Sequence, residues 1–306
     1  MAIGFHEQRE KHLLRISFLV ACLFVGLAFI FAILTSSAAI LFDGVYSLLA
    51  CVMALLTLKV ANLVQRPDDE RFHFGYTAIE PTLNLFKAIF ILAICAYAIF
   101  GAIASLLEGG NTTNYGIAMG YGGLATLGCF AVALYMKRKG RHLRSDLVVV
   151  DAQTWFIDGV LSASILLGFV LAFVLEQLSL SKYSPYVDPL LLMVLAVFML
   201  PIPLRILKES LNEVINKAPP EAVSALIEKK LKKTLSDVPY EHVEVRISKC
   251  GRDVYLLVHI IVSDAFSIAT IAELDAIRLR CEKEMCEWDP AILMDILFIK
   301  NPVLAD

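Results

Sequence analysis

The sequence predicts an α-helical membrane protein with six transmembrane helices and a small cytoplasmic α+β domain of element order α-β-β-α-β. Three observations predict it. Of 306 residues, 58% are hydrophobic and 19% charged, with a mean hydropathy of +0.71; an ordinary globular domain is near half apolar and about a quarter charged. Six runs are each apolar over the roughly 20 residues that a helix needs to cross a hydrocarbon core of about 30 Å. The last third instead carries frequent charge on helical and alternating periods. Two water-soluble domains are thereby excluded. A net charge of −3 without a basic stripe does not suit nucleic acid as a partner. Seven cysteines, an odd number scattered along the chain, do not form a secreted disulfide framework.

The spans run from about Leu14 to Thr35, Ala38 to Val64, Ala78 to Leu107, Tyr115 to Met136, Leu147 to Leu175 and Val187 to Leu207. The first is expected to remain as a span. It is too long for a signal peptide, lacks a small-residue cleavage site and is followed at once by another apolar run. Positive charge gathers before span one (Arg9, Lys11, Arg15), between spans two and three (Arg66, Arg71) and between spans four and five (Lys137, Arg138, Lys139, Arg141, Arg144). The alternate connections are nearly bare, with Lys182 alone between Glu176 and Asp188. Both termini are therefore expected in the cytoplasm. The composition changes after Pro201 and Pro203, dividing the chain into a transmembrane domain, 1–208, and a cytoplasmic domain, 209–306. In the latter, Pro219-Pro220-Glu221 suits a helix start, with Val223, Leu226, Ile227 and Leu231 at helical spacing up to about Leu235. Alternation at His242–Ile247, a break at Cys250-Gly251 and the run Val254 to Val262 read as a hairpin. A helix over about Ile268 to Met285 and a strand over Ile292 to Ile299 complete a two-layer fold.

An ionisable residue inside a span costs several kcal/mol unless it is paired or faces water, so it marks a functional site by default. Span two carries Asp43, with Ser47 one turn later. Span five carries Asp151, Thr154 and Asp158 along one helical face. Two carboxylates and two hydroxyls from two helices can converge on one site. Against this, Ser47 and Thr154 suit packing residues whose hydroxyls bond a carbonyl one turn back, and Asp151 lies near enough to the cytoplasmic end to be solvated. Lys59 and Lys87 suit snorkelling or pairing, and the cysteines inside the spans suit the core.

With these features the chain resembles the cation diffusion facilitator, or cation efflux, family. The resemblance covers nearly the whole sequence. Its most specific stretch is Pro67-Asp68-Asp69-Glu70-Arg71-Phe72-His73-Phe74-Gly75-Tyr76, with Glu80 four residues on, which is similar to the acidic loop between spans two and three of family members. Asp188-Pro189 at the start of span six fits as well. The resemblance implies a ferredoxin-like or metallochaperone-like cytoplasmic domain and a transport site built from Asp-x-x-x-Asp on span two and His-x-x-x-Asp on span five. Asp43 and Asp158 match the first and last positions; Ser47 and Thr154 replace the other two. Imidazole and compact four-coordination favour zinc, whereas carboxylates, hydroxyls and water suit Mg²⁺ or Mn²⁺, with Fe²⁺ or Co²⁺ allowed. The chain is thus a divergent member with an oxygen-rich metal site, Asp43, Ser47, Thr154 and Asp158.

Asp151 is an accessory or proton-carrying candidate. Asp69 and His73 either form a transient loop site or cap and anchor the turn. Relatives bind metal in the soluble domain through a His and an Asp before a Pro, but Ile299 and Asn301 stand before Pro302 here. His242, His259, Cys281 and Cys286 do not replace those ligands. The resemblance further implies a homodimer through both domains, set in a bacterial inner (plasma) membrane, that exports a divalent cation by alternating access in exchange for protons. The ion is cargo, and no cofactor or nucleic acid is expected. Metal and protons would compete for the same buried oxygens, and since Thr154 does not titrate near neutral pH, the acids carry the exchange alone. Pro81 and Gly159 are places for bending or close packing, and Gly109-Gly110 is a turn. The rivals are a metal-sensing or regulatory membrane protein of the same fold that moves no ion, a membrane enzyme, for which neither a nucleophile elbow nor a phosphate loop is seen, and a channel, which would use repeated weak sites.

Overall fold

The computed structural model describes residues 2–305 other than 65, 67, 68, 74, 144, 145, 179, 180, 252, 269 and 289–291. Pro67, Asp68 and Phe74 of the loop motif, and Arg144, lie outside the described residues. The helices are α1 (Ala2–Thr35), α2 (Ala38–Val64), α3 (Ile79–Leu107), α4 (Tyr115–Leu143), α5 (Asp146–Gln177), α6 (Val187–Met199), α7 (Pro201–Val214), α8 (Glu221–Thr234) and α9 (Ile271–Trp288). The strands are β1 (Tyr240–Cys250), β2 (Asp253–Val262) and β3 (Ile292–Ile299). Six stretches of helix are long and apolar enough to cross a membrane. The chain divides into two compact units, residues 1–56 with 89–204 and residues 57–88 with 205–306.

Small side chains make the core of the first unit: Ala28, Ala32, Ala39, Ala98, Ala102, Ala118, Ala125, Ala172 and Ala196 are all buried. Alanines let helices approach closely, which suits a bundle whose outer surface gains nothing by hiding large apolar groups. Those groups point outward instead. Ile33 is 80% exposed, Leu127 74% and Phe198 74%, the pattern of a face that meets lipid.

One end of this unit is tied by a buried carboxylate. Asp188, in the first turn of α6, is fully buried. Its Oδ1 accepts the Ser37 hydroxyl at 2.5 Å and the Ala39 N–H at 3.4 Å; its Oδ2 accepts the Ala38 N–H at 2.9 Å and the Asn111 amide at 3.2 Å. The first backbone N–H groups of a helix lack intrahelical partners and carry the positive end of its dipole. Asp188 supplies α2 with an anion from another helix. Ser37 caps the same helix by accepting the Ile40 N–H at 3.2 Å. The α3–α4 connection joins in: Asn111 N–H donates to the Pro185 carbonyl at 2.8 Å and Tyr115 donates to the Ser184 carbonyl at 2.6 Å. Gly110, at φ +91, lies so close to the Pro185 carbonyl that a Cβ would collide with it. The expected Gly109-Gly110 turn is therefore also a packing contact.

Span six differs from the single run expected. The helix is interrupted at Leu200, between α6 and α7, because Pro201 has no N–H to donate and its ring crowds the preceding turn. The compositional change near Glu209 falls inside α7, which continues to Val214. Pro81 sits in the first turn of α3, where a proline is tolerated without a bend.

In the second unit β2 lies between β1 and β3. β1 and β2 pair antiparallel, with Val243 opposite Ile260 and Ile247 opposite Leu256. β3 pairs parallel with β2, Val258 opposite Ile296, with α9 as the crossover. α8 and α9 cover one face, where Ile227, Leu231, Cys281 and Met285 pack on Leu256, Val258, Ile260 and Ile296. The start of α9 lies at Ile271, later than the apolar pattern suggests; the Thr270 hydroxyl donates to the Glu273 carboxylate at 3.2 Å across its first turn. Glu213 at the end of α7 accepts Lys249 Nζ and the Gly251 N–H, each at 3.1 Å, fixing the hairpin turn.

Replacing Asp188 by Ala strands at least the Ala38 N–H and the Ser37 hydroxyl in a dry interior. It should lower stability by about 3 kcal/mol, against about 1 kcal/mol for Asn111→Ala. Thermal unfolding of the detergent-solubilised protein measures both.

Candidate metal site in the helix bundle

Asp43 sits near the start of α2, half-buried, and its Oδ2 accepts a hydrogen bond from the Tyr121 hydroxyl of α4 at 2.7 Å. Tyr121 is 3% exposed, and its ring packs on Phe31 of α1 with centroids 5.6 Å apart. Next to Asp43, a Cβ on Gly44 would lie 3.0 Å from Ala28 Cβ, so α2 lies close against α1 beside the acid. Asp43 also lines a cavity of about 10 Å³ walled by Phe42, Tyr46, Leu161, Ile165, Leu195 and Met199, room for about one water.

Asp158 occupies the middle of α5 and is half-buried. The charges of Asp43 and Asp151 act on it, and its own charge acts on Tyr46, Cys51 and Cys129. The two acids expected to meet across α2 and α5 thus share one electrostatic neighbourhood. The residue after Asp158 repeats the arrangement after Asp43: a Cβ on Gly159 would come within 3.1 Å of the Phe130 ring of α4. Gly159 is a place of close packing inside an unbroken helix.

Ser47 lies half-buried one turn after Asp43, and Thr154 lies exposed one turn before Asp158. Thr154 takes part in a contact of its own. Asp151 is half-buried. It pairs with the Ser17 hydroxyl of α1, which in turn accepts Trp155 Nε1 at 2.7 Å; its Oδ2 is buried without a hydrogen-bond partner. Among the described residues, no three His, Cys, Asp or Glu side chains converge in a way that could hold a metal ion. Any ion held between Asp43 and Asp158 must complete its shell with hydroxyls, carbonyls or water.

Sequence reasoning missed three neighbours of this pair: Tyr121, Tyr46 and Cys129, which pairs with Ser162. A signal existed only for Tyr121. A tyrosine in the middle of an apolar span must find an acceptor for its hydroxyl, and few acceptors are available there.

In the α2–α3 connection, Asp69 Oδ1 accepts the N–H groups of Arg71 at 2.8 Å and Phe72 at 3.0 Å, and Oδ2 accepts the Tyr76 hydroxyl at 2.5 Å. The Phe72 and Tyr76 rings pack 4.5 Å apart. His73 is exposed. Tyr76, then the two backbone donors, hold the Asp69 carboxyl below the usual carboxylate range. In the second unit Asn301 Oδ1 accepts the Val303 N–H at 3.2 Å, capping the last turn. His259 is buried, His242 is exposed, and burial pushes the Cys281 thiol up to about 11.

The model of the cation efflux transmembrane domain matches residues 14–215. The chain belongs to the cation efflux family. With six apolar helices, this cation efflux protein is an integral membrane protein. It is 22% identical to the metal cation efflux system protein CzcD of Cupriavidus metallidurans, over 74% of this chain and 68% of that protein. It is 27% identical to the zinc transporter ZitB of Yersinia pestis, over 71% of this chain and 67% of that one. The ZitB of Yersinia pseudotuberculosis is 28% identical over 72% of this chain and 67% of its own length.

Two outcomes follow from this geometry. Gly44→Ala should destabilise the bundle by about 1–3 kcal/mol, and Ala28→Gly in that background should restore most of the loss, read as thermal unfolding in detergent. Asp69, with its carboxyl depressed on folding, orders its loop above the ordinary carboxylate value of about 3.9. That order should fade as pH falls through the lower folded value. Hydrogen exchange at Arg71 and Phe72 follows it, and Asp69→Asn should blunt the dependence.

Proposed function

We propose that this chain is a divalent metal cation transporter that exports its ion from the cytoplasm by alternating access, in exchange for protons. What supports the reading is two acids, Asp43 on α2 and Asp158 on α5, within one electrostatic neighbourhood of an apolar bundle. Two buried negative charges in one neighbourhood repel, and a doubly charged cation or protons relieve that repulsion. Competition between the two for the same oxygens makes metal uptake release protons and makes proton rebinding release metal. Asp151, with one oxygen lacking a partner, is the accessory proton acceptor in this scheme.

Asp43 and Asp158, with the hydroxyls of Ser47 and Thr154 and with water, are the proposed ligands. An all-oxygen shell of this kind suits Mg²⁺, Mn²⁺, Fe²⁺ or Co²⁺ better than Zn²⁺. The similarity to proteins named as zinc transporters favours zinc as the second reading. The protein would work as a homodimer in the bacterial inner membrane with both termini cytoplasmic, the segment 1–208 carrying the ion and the segment 209–306 serving dimerisation. A metal-sensing role without transport is the rival that flux alone decides.

In sealed proteoliposomes loaded with an ion-sensitive dye, wild type should move Mn²⁺, Co²⁺, Fe²⁺ or Mg²⁺ better than Zn²⁺, with opposite proton flux. Asp158→Asn should lose both fluxes. Preferred Zn²⁺ flux would refute the oxygen-site reading, and retained metal-driven proton flux in Asp158→Asn would refute the mechanism.

A further inference from the structure

Asp43 is held from two sides. Its backbone is pressed against α1 through Gly44 and Ala28, and its carboxylate is held from α4 through the Tyr121 hydroxyl, 2.7 Å from Oδ2. Tyr121 has little freedom to leave. It is 3% exposed, its ring packs on Phe31, and the next residue, Gly122, brings α4 so near α5 that a Cβ there would lie 3.0 Å from Leu166 Cβ. A phenol fixed in this way engages one carboxylate oxygen continuously. The cavity beside Asp43 has walls from α2, α5 and α6, none of them from α4, so the hydroxyl and the cavity approach the acid from different helices.

We propose that Tyr121 is a positioning residue that sets ion selectivity, by occupying Oδ2 of Asp43 so that the carboxylate offers a cation one oxygen. This rests on the reading of Asp43 as a metal ligand given above. A carboxylate limited to one oxygen suits small ions with few or strictly placed ligands, such as Mg²⁺ and Zn²⁺. One free to bind through both oxygens suits larger ions of higher and more flexible coordination, of which Ca²⁺ is the extreme and Mn²⁺ the intermediate case. A neutral phenol adds this restriction without adding a charge, so the attraction of the acid pair for a divalent cation is kept while its geometry is narrowed.

Tyr121→Phe removes the hydroxyl and keeps the ring. In proteoliposomes the ratio of KM for Zn²⁺ or Mg²⁺ to KM for Mn²⁺ should rise by about tenfold or more, the change expected for one lost hydrogen bond to a charged group. The shift should lie in KM, not in a uniform fall of kcat for every ion. Tyr121→Met, which also lacks the donor and fills irregular space, should repeat it and serves if the Phe variant fails to fold. Phe31→Leu loosens the same packing but leaves the hydroxyl, and should keep the wild-type ratio. An unchanged ratio in both Tyr121 variants, or an equal shift in Phe31→Leu, would overturn the proposal. Asp43→Asn separates the two levels. If it transports like wild type, the reading of Asp43 as ligand has failed; if it is inactive while Tyr121→Phe keeps the wild-type ratio, the selectivity role alone has failed.

Discussion

Two carboxylates on different helices, Asp43 on α2 and Asp158 on α5, share one electrostatic neighbourhood inside an apolar bundle, and that is the constraint on which the proposed chemistry rests. Bringing an ionisable group into such an interior costs several kcal/mol when it has no partner. The repulsion between two of them adds to that. The bundle tolerates the pair because close helix approach fixes where the acids are. Gly44 and Gly159 each follow an acid; the first lets α1 approach at Ala28 and the second leaves room for the Phe130 ring of α4. Tyr121 then gives Asp43 one strong neutral partner. The result is an electrostatic demand for positive charge, which in the proposed function a metal ion or protons meet.

A third acid in the same unit has the opposite character. Asp188 is more deeply buried than Asp43 or Asp158, yet all of its demand is met by Ser37, Asn111 and the first N–H groups of α2. Its charge has been absorbed into structure, as a cap shared by the α1–α2 turn, the α3–α4 connection and α6. Burial alone therefore does not mark a transport residue. What separates the acids is whether enough donors surround them: Asp188 has four, Asp43 has one, and Asp151 leaves one oxygen unpartnered.

Much of the fold was legible in the sequence because it depends on period and length. Apolar runs of membrane-spanning length, alternation at Val243, Val245 and Ile247, and the helical period of α8 and α9 each leave a one-dimensional trace. The break in span six escaped, since the apolar run from Val187 to Leu207 continues through Pro201 and Pro203 while the helix is interrupted at Leu200. The start of α9 escaped because apolar Ile268 extends the helical spacing ahead of the first helical residue, Ile271. For the site, the acids stood out as charges in apolar text, and offsets of four placed Ser47 and Thr154 beside them. Tyr121, Gly44 and the Asp188 network did not stand out. Their meaning lies in contacts between residues far apart in sequence, and an aromatic or glycine in an apolar helix looks like any other packing residue.

The most direct measurement is the position of the ion itself. Crystals of the protein soaked with Mn²⁺, recorded at the manganese absorption edge, should give an anomalous peak between the carboxylates of Asp43 and Asp158, with oxygen ligands at about 2.2 Å. A peak elsewhere, with those two carboxylates empty or turned apart, would contradict the account.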